Sequence, residues 1–246
     1  MAVSIDVRDD IDPDAIVDVV EWLHHVDATF STYRIDSPIS RFGLGEIGVD
    51  DLDPEVRRVL ALCESIRDET GGAFDIAAVP APNGSMLDPS GLVKGWSIER
   101  AAEILEGHGA ANFCLNAGGD IALRGHPEPG QPWTVGVRHP DEPMLSAAVL
   151  AVAGRGAVAT SATYERGAHI IDPMLGQPTT LLASATIVGP DLTYADAYAT
   201  TVYVKGVDGL LWLMDRHPDY AGFVITRDGQ THRTPNFTPY LAPTAG

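Results

Sequence analysis

Two textures meet near residue 110, and their order constrains the fold more than any other feature of this 246-residue chain. Before that point apolar residues recur at intervals of three and four. They are Ile16, Val19, Leu23, Val26 and Phe30 in 14–30, and Val56, Val59, Leu60, Cys63 and Ile66 in 54–70. Both spacings predict amphipathic helices, the second stopped by TGG at 70–72, and SIERAAEILEGHG over 97–109 predicts a third. AVSIDV at 2–7 alternates and predicts an opening strand. Past residue 110 come short runs cut by Gly, Pro and Asp turns: NFCLN, DIALRG, WTVGVRH, SAAVLAVAG, GAVATS and AHIID, then ASATIVG at 183–189. Helices at 193–206 and 208–217 and a strand at 220–226 follow. Helices first and sequence-adjacent strands after predict an α+β chain, with antiparallel sheets flanked by helices in a single compact unit over 1–246. No GxGxxG follows the first strand, which argues against a dinucleotide Rossmann site. Segments 30–43, broken by Pro38, and 74–92 are predicted loops, and the Pro/Thr-rich tail at 232–246 a loose end.

The formal charge of −18 argues against nucleic acid, whose phosphates need a basic stripe. An anionic ligand must instead be held by local devices: backbone N–H groups, a bound cation or a lysine. Only Lys94 and Lys205 are available. Lys94 stands between Gly91 and Gly95 in SGLVKGWS, ahead of a helix predicted to start at Ser97. The spacing is not that of a Walker A loop. The glycines permit close backbone approach, and a helix start presents unpaired N–H groups to a phosphate. An ordinary surface lysine is the competing reading.

In ADAYATT (195–201) Asp196 and Thr200 lie four apart on one helical face, an oxygen-only pair suited to a hard cation such as Mg²⁺. Placement of Asp196 for the helix dipole, with Thr200 merely packing, is the alternative. The paired glycines of NAGGD (116–120) and TGGAFD (70–75) mark turns or backbone brought against a ligand. His169, in GAHIIDP, could act as a general base near neutral pH if a carboxylate or metal lies close, against a structural role. His24, His25 and His217 read as surface or capping residues. Cys63 and Cys114 sit in apolar patterns and read as buried thiols. The N-terminus shows no basic n-region, apolar h-region or lipid-attachment cysteine, and no apolar run reaches membrane-spanning length. The expectation is a cytoplasmic chain, exported if an N-terminal segment was removed.

Taken in order, STYRIDSPISRF, TGGAFDIAAVP, LDPSGLVKGWSIERAAEIL, NAGGDIALRG, WTVGVRHP, AVATSATYER, HIIDPMLGQP and VGPDLTYADAYATTVYVKG resemble the hallmark segments of the ApbE family, the FAD:protein FMN transferases. The resemblance covers roughly residues 15–206. It implies a T-fold-related α+β unit that uses Mg²⁺ and FAD, transfers FMN to a threonine of an acceptor flavoprotein and releases AMP. Some members hydrolyse FAD to FMN and AMP instead, and a non-catalytic FAD-binding module would keep the same site. Carried over by position, Lys94 and Asp88 resemble FAD contacts, and Tyr33 the ring that lies against the flavin nucleotide. Ala73, Phe74 and Asp75 match the segment beside FAD. Gly118 and Gly119 of NAGGD, Thr160 of AVATSATYER and Ile171 of HIIDP fall in further cofactor-binding segments. Asp196 and Thr200 match side-chain metal ligands, with main-chain carbonyls from Gly91 and Ala199. His169 resembles the FAD-contacting histidine proposed to take the acceptor's proton. Ala162 stands where glycine is common, and the stretch between TGGAFD and LDPSG is short for the family.

Overall fold

Alternation along the strands decides the centre of the molecule. In the computed structural model, which describes residues 2–78, 80–142, 144–162 and 170–243, the chain order is as follows. Strand β1 (Val3–Val7) leads into helices α1 (Asp14–Phe30), α2 (Pro38–Gly43), α3 (Pro54–Thr70) and α4 (Ser90–Gly107). Strands β2 (Phe113–Ala117), β3 (Asp120–Arg124), β4 (Trp133–Arg138), β5 (Ser146–Val152) and β6 (Gly156–Ala162) come next. Then follow β7 (Ile171–Asp172), β8 (Gln177–Pro178), β9 (Leu182–Gly189), helices α5 (Leu192–Lys205) and α6 (Asp208–Arg216), β10 (Ala221–Thr226) and β11 (Thr231–Arg233). Seven strands form one antiparallel sheet in the order β1-β2-β3-β6-β9-β10-β11, while β4–β5 and β7–β8 are separate two-stranded ribbons.

On the sheet's helical face the strands present small residues, Ala122, Ala157, Ala159 and Ala185, to α1, α4, α5 and α6. On the opposite face Ile121, Leu123 and Val158 pack with Trp133, Val135 and Leu150 of the β4–β5 ribbon. The period of two is the ordinary consequence of strand geometry. Alanine under the helices lets α5 lie close over β6 and β9, and this proximity builds the site described below. A third core, with Phe30, Ile39, Val56, Cys63, Ile66, Phe74 and Leu92, joins α1, α2, α3 and the start of α4.

Several expectations change here. Pro38 does not break 30–43. It occupies the first turn of α2, where a missing N–H costs nothing, and the Ser37 hydroxyl caps that helix by accepting from the Ser40 amide at 3.1 Å. Helix α4 begins at Ser90 rather than Ser97, so Lys94 lies within the helix and no helix N-terminus exists at Ser97. The tail is not loose over its described part, 232–243. Phe237 is fully buried and stacks on Phe223 at 5.3 Å, and the Ala242 amide donates to the Val149 carbonyl at 2.8 Å. Of AHIID, only 170–172 lie among the described residues. Cys63 is buried and Cys114 half-buried, both free thiols that burial pushes up to about 12 and about 11. Among the described residues no helix is long and apolar enough to cross a membrane.

Candidate functional site

Helices α4 and α5 cross at Gly95. A Cβ there would lie 2.4 Å from the Leu192 carbonyl oxygen and 2.7 Å from Asp196 Cβ, so only glycine allows this approach. The Gly95 amide donates to Asp196 Oδ2 at 3.0 Å. One residue back, Lys94 Nζ lies 2.6 Å from Asp120 Oδ2 and 3.6 Å from Asp196 Oδ1. Both carboxylates are buried, while the lysine side chain is 26% exposed. The glycines flanking Lys94 therefore serve a helix crossing as well as openness: Gly95 admits α5, and Gly91 faces Thr200. A Cβ on Gly91 would stand 3.4 Å from the Phe74 ring and 3.9 Å from Thr200 Oγ1.

Hydroxyl groups complete the cluster. Thr200 Oγ1 and Ser161 Oγ share a hydrogen bond at 3.2 Å, as do Thr160 Oγ1 and Thr186 Oγ1 at 2.9 Å. The Thr160 amide donates to Asp120 Oδ1 at 3.3 Å. Burial pushes the Asp196 carboxyl well above the usual carboxylate range; the Asp120 charge adds to the rise, and Lys94 opposes it. Asp196 is not placed for the helix dipole. Asp191 caps α5, accepting from the Thr193 amide at 2.8 Å, while Asp196 lies a turn further on and faces Lys94.

The other predicted residues divide. Gly118 and Gly119 form the two-residue turn between β2 and β3, at φ 60° and 95°, a left-handed pair that fits a type I′ hairpin and delivers Asp120 to the cluster. Ala73 and Phe74 are buried core residues, Phe74 bordering Gly91. Asp75 pairs with Arg67 at 2.9 Å and accepts from the Ala77 amide, holding its own loop. Asp88 accepts from the Ser90 amide at 3.0 Å and so holds the turn that leads into α4. Ala199 is buried on α5 between Asp196 and Thr200. Tyr33 is 84% exposed and Ile171 is half-buried in β7; no hydrogen bond or ring contact among the described residues joins either to the cluster. His169 lies outside the described residues. His217, at the end of α6, is stacked on Tyr198 at 4.2 Å and is more enclosed than a surface histidine, with burial holding its imidazole below the usual range.

Asp120 escaped the sequence reading, although a carboxylate opening an otherwise apolar strand, DIALR, directly after a Gly-Gly turn was a signal for it. Ser161 and Thr186 had none: hydroxyls in strands are common.

The model of the ApbE family matches residues 1–83 and 79–224. A curated FAD:protein FMN transferase of Vibrio cholerae is 29% identical over 167 residues, which cover 63% of this chain and 50% of that protein. The chain thus spans about half the length of that relative. A protein of the same name from Haemophilus influenzae is 26% identical over an alignment of 265 residues, covering 83% of this chain and 76% of the relative. The solved flavin transferase ApbE of V. cholerae shares the fold with a TM-score of 0.83 at 22% identity, over 97% of this chain and 95% of that one. Matched by its model over most of the length, this chain belongs to the ApbE family.

Proposed function

We propose that this chain is an Mg²⁺-dependent FAD:protein FMN transferase, moving FMN from FAD to a threonine hydroxyl of an acceptor protein with release of AMP. The observation that carries the reading is the crossing of α4 and α5, which gathers Lys94, Asp120, Asp196 and the hydroxyls of Thr200 and Ser161 around one point. Family membership supplies the reaction, through the name its relatives carry.

The donor set fits a hard cation. With both carboxyls ionised, as metal ligands are, Asp120 and Asp196 would bear one more negative charge than Lys94 neutralises, and neither is open to water. Among the described residues no three His, Cys, Asp or Glu converge into a closed cage. Mg²⁺ completes its shell with waters and substrate oxygens, so a partial protein donor set of carboxylate, hydroxyl and carbonyl oxygens fits it. Asp196 and Thr200 would hold it, with the carbonyls of Gly91 and Ala199. The amide that a regular helix directs at the Gly91 carbonyl belongs to Gly95, and it donates to Asp196. Bound there, the ion supplies charge neutralisation at the phosphoryl oxygens and the departing AMP.

The chain's own groups have distinct tasks. Lys94, partly exposed above its buried carboxylates, holds a phosphate oxygen by its ammonium. Gly91 keeps space beside Thr200 where a methyl would intrude. The exposed ring of Tyr33 offers a stacking face to the flavin nucleotide. His169 takes the proton of the acceptor hydroxyl, the role its likeness to the family histidine assigns it. Without such a base the hydroxyl is a weak nucleophile.

Incubation with FAD, Mg²⁺ and a threonine-bearing acceptor peptide tests the reading, with mass spectrometry of the peptide and chromatography of nucleotides. Covalent FMN on the peptide with stoichiometric AMP is expected, and chelator should abolish it. Free FMN with AMP and an unmodified peptide would make the chain a pyrophosphatase, and intact FAD would reduce it to a carrier.

A further inference from the structure

Five residues beyond Lys94 on the same helix, Glu99 is 3% exposed, yet it is a carboxylate. Its Oε1 accepts from Arg124 Nη2 and from Arg155 Nη2, each at 2.5 Å. Its Oε2 accepts from the Leu192 amide, the first of α5, at 2.9 Å. Arg124 closes β3, the strand that Asp120 opens. Arg155 also donates to the Pro190 carbonyl at 3.3 Å, just before α5, and Glu106 of α4 accepts from both arginines. A single side chain of α4 is therefore bonded to the strand that bears Asp120 and to the helix that bears Asp196.

We infer that Glu99, clamped by Arg124 and Arg155, is the positioning residue that sets the separation of α4, α5 and β3, and through it the Lys94–Asp120–Asp196 geometry. The inference rests on the flavin-transferase reading of that cluster. Its physical basis is lever and orientation. Asp196 lies about one helical turn past Leu192, so displacement of the helix start is passed to it through a rigid element. A buried ion pair is weak support for stability as such, because desolvation offsets attraction, whereas its hydrogen bonds fix direction as an apolar contact does not. An acidic side chain at the N-terminus of α5 also meets the positive end of that helix.

The test is Mn²⁺ uptake in the presence of FAD, followed by electron paramagnetic resonance of the free ion, below the unfolding temperature of each protein. Glu99→Gln keeps an acceptor for the Leu192 amide and removes the charge that holds both arginines. Arg155→Gln alters a half-exposed side chain and serves if Glu99→Gln does not fold. Val59→Ala, in the core of the helical lobe and away from the network, controls for lost stability alone. Glu99→Gln should weaken Mn²⁺ binding about tenfold to a hundredfold and Arg155→Gln about tenfold, the range seen when groups behind metal ligands are removed. Val59→Ala should leave affinity unchanged while lowering the melting temperature. Wild-type affinity in both network variants, or an equal loss in Val59→Ala, overturns the inference and leaves the proposed function standing. Absence of Mn²⁺ uptake by the wild type overturns the metal reading, and the inference with it.

Discussion

Two charged clusters share α4, and they are built on opposite plans. Around Glu99 two carboxylates meet two guanidinium groups, and both Glu99 oxygens are bonded. Around Lys94 two carboxylates meet one ammonium, and among the described residues Asp120 Oδ2 has no well-aligned hydrogen bond beyond that ion-pair contact. The first cluster closes on itself. The second holds more buried carboxyl groups than it has cations to balance, so Asp196 keeps its proton above the usual carboxylate range, an arrangement that suits a cation arriving from outside. Balance marks the joint that holds the helices, and imbalance marks the place where chemistry is proposed.

The largest contrast comes from making one isosteric change in each cluster. Asp196→Asn should lower Mg²⁺-dependent FMN transfer at least about a hundredfold, as loss of charge stabilisation at a reacting phosphoryl group does, with thermal stability retained. Glu99→Gln should instead cost roughly 3 kcal/mol in denaturant unfolding, because it leaves the buried Arg124 guanidinium short of a counter-charge. Equal stability losses in the two would erase the distinction. His169→Ala should slow transfer by ~10²–10⁴ in single-turnover kinetics while FAD binding holds, the usual worth of a general base.

The two glycines flanking Lys94 sharpen the comparison at smaller amplitude. Gly95→Ala forces α4 from α5 and should cost about 1–3 kcal/mol, since its methyl meets the Leu192 carbonyl. Gly91→Ala meets only ordinary contacts and should stabilise the helix by up to about 1 kcal/mol, while impairing turnover through the space it fills. The last effect is pH dependence. Metal ligands bind deprotonated, and the Asp196 carboxyl is raised in the fold. Mn²⁺ affinity should therefore rise as pH climbs above the ordinary carboxylate range. The metal-free protein should lose stability over the same window, because the folded state holds the proton longer than the unfolded chain. In Asp196→Asn both slopes should flatten.

Much of this was legible in the sequence where the signal is periodic or local. The spacing in 14–30 and 54–70 predicted α1 and α3, and Asp196 with Thr200 shares a helical face as the four-residue spacing required. The start of α4 was not legible, because Gly91 and Gly95 disfavour a helix locally, and contact with α5 overrides that preference. The tail misled in the same way. Its Pro/Thr composition suggested looseness, but Phe237 stacks on Phe223 of β10, a partner no local pattern reveals. The burial of Asp120 and Glu99 was not read from the sequence, since a buried ion pair is defined by partners distant along the chain.

What the sequence determined by itself was the order of helices and strands, the scarcity of cations in an acidic chain, and the residue types able to hold a phosphate or a hard ion. These follow from periodicity, charge and side-chain chemistry, all of which are local. Only the tertiary structure decided that Lys94, Asp120 and Asp196 meet, and that Glu99 stands behind them. That convergence depends on two helices approaching over alanines and one glycine, and the distance between backbones is a property of the packed whole.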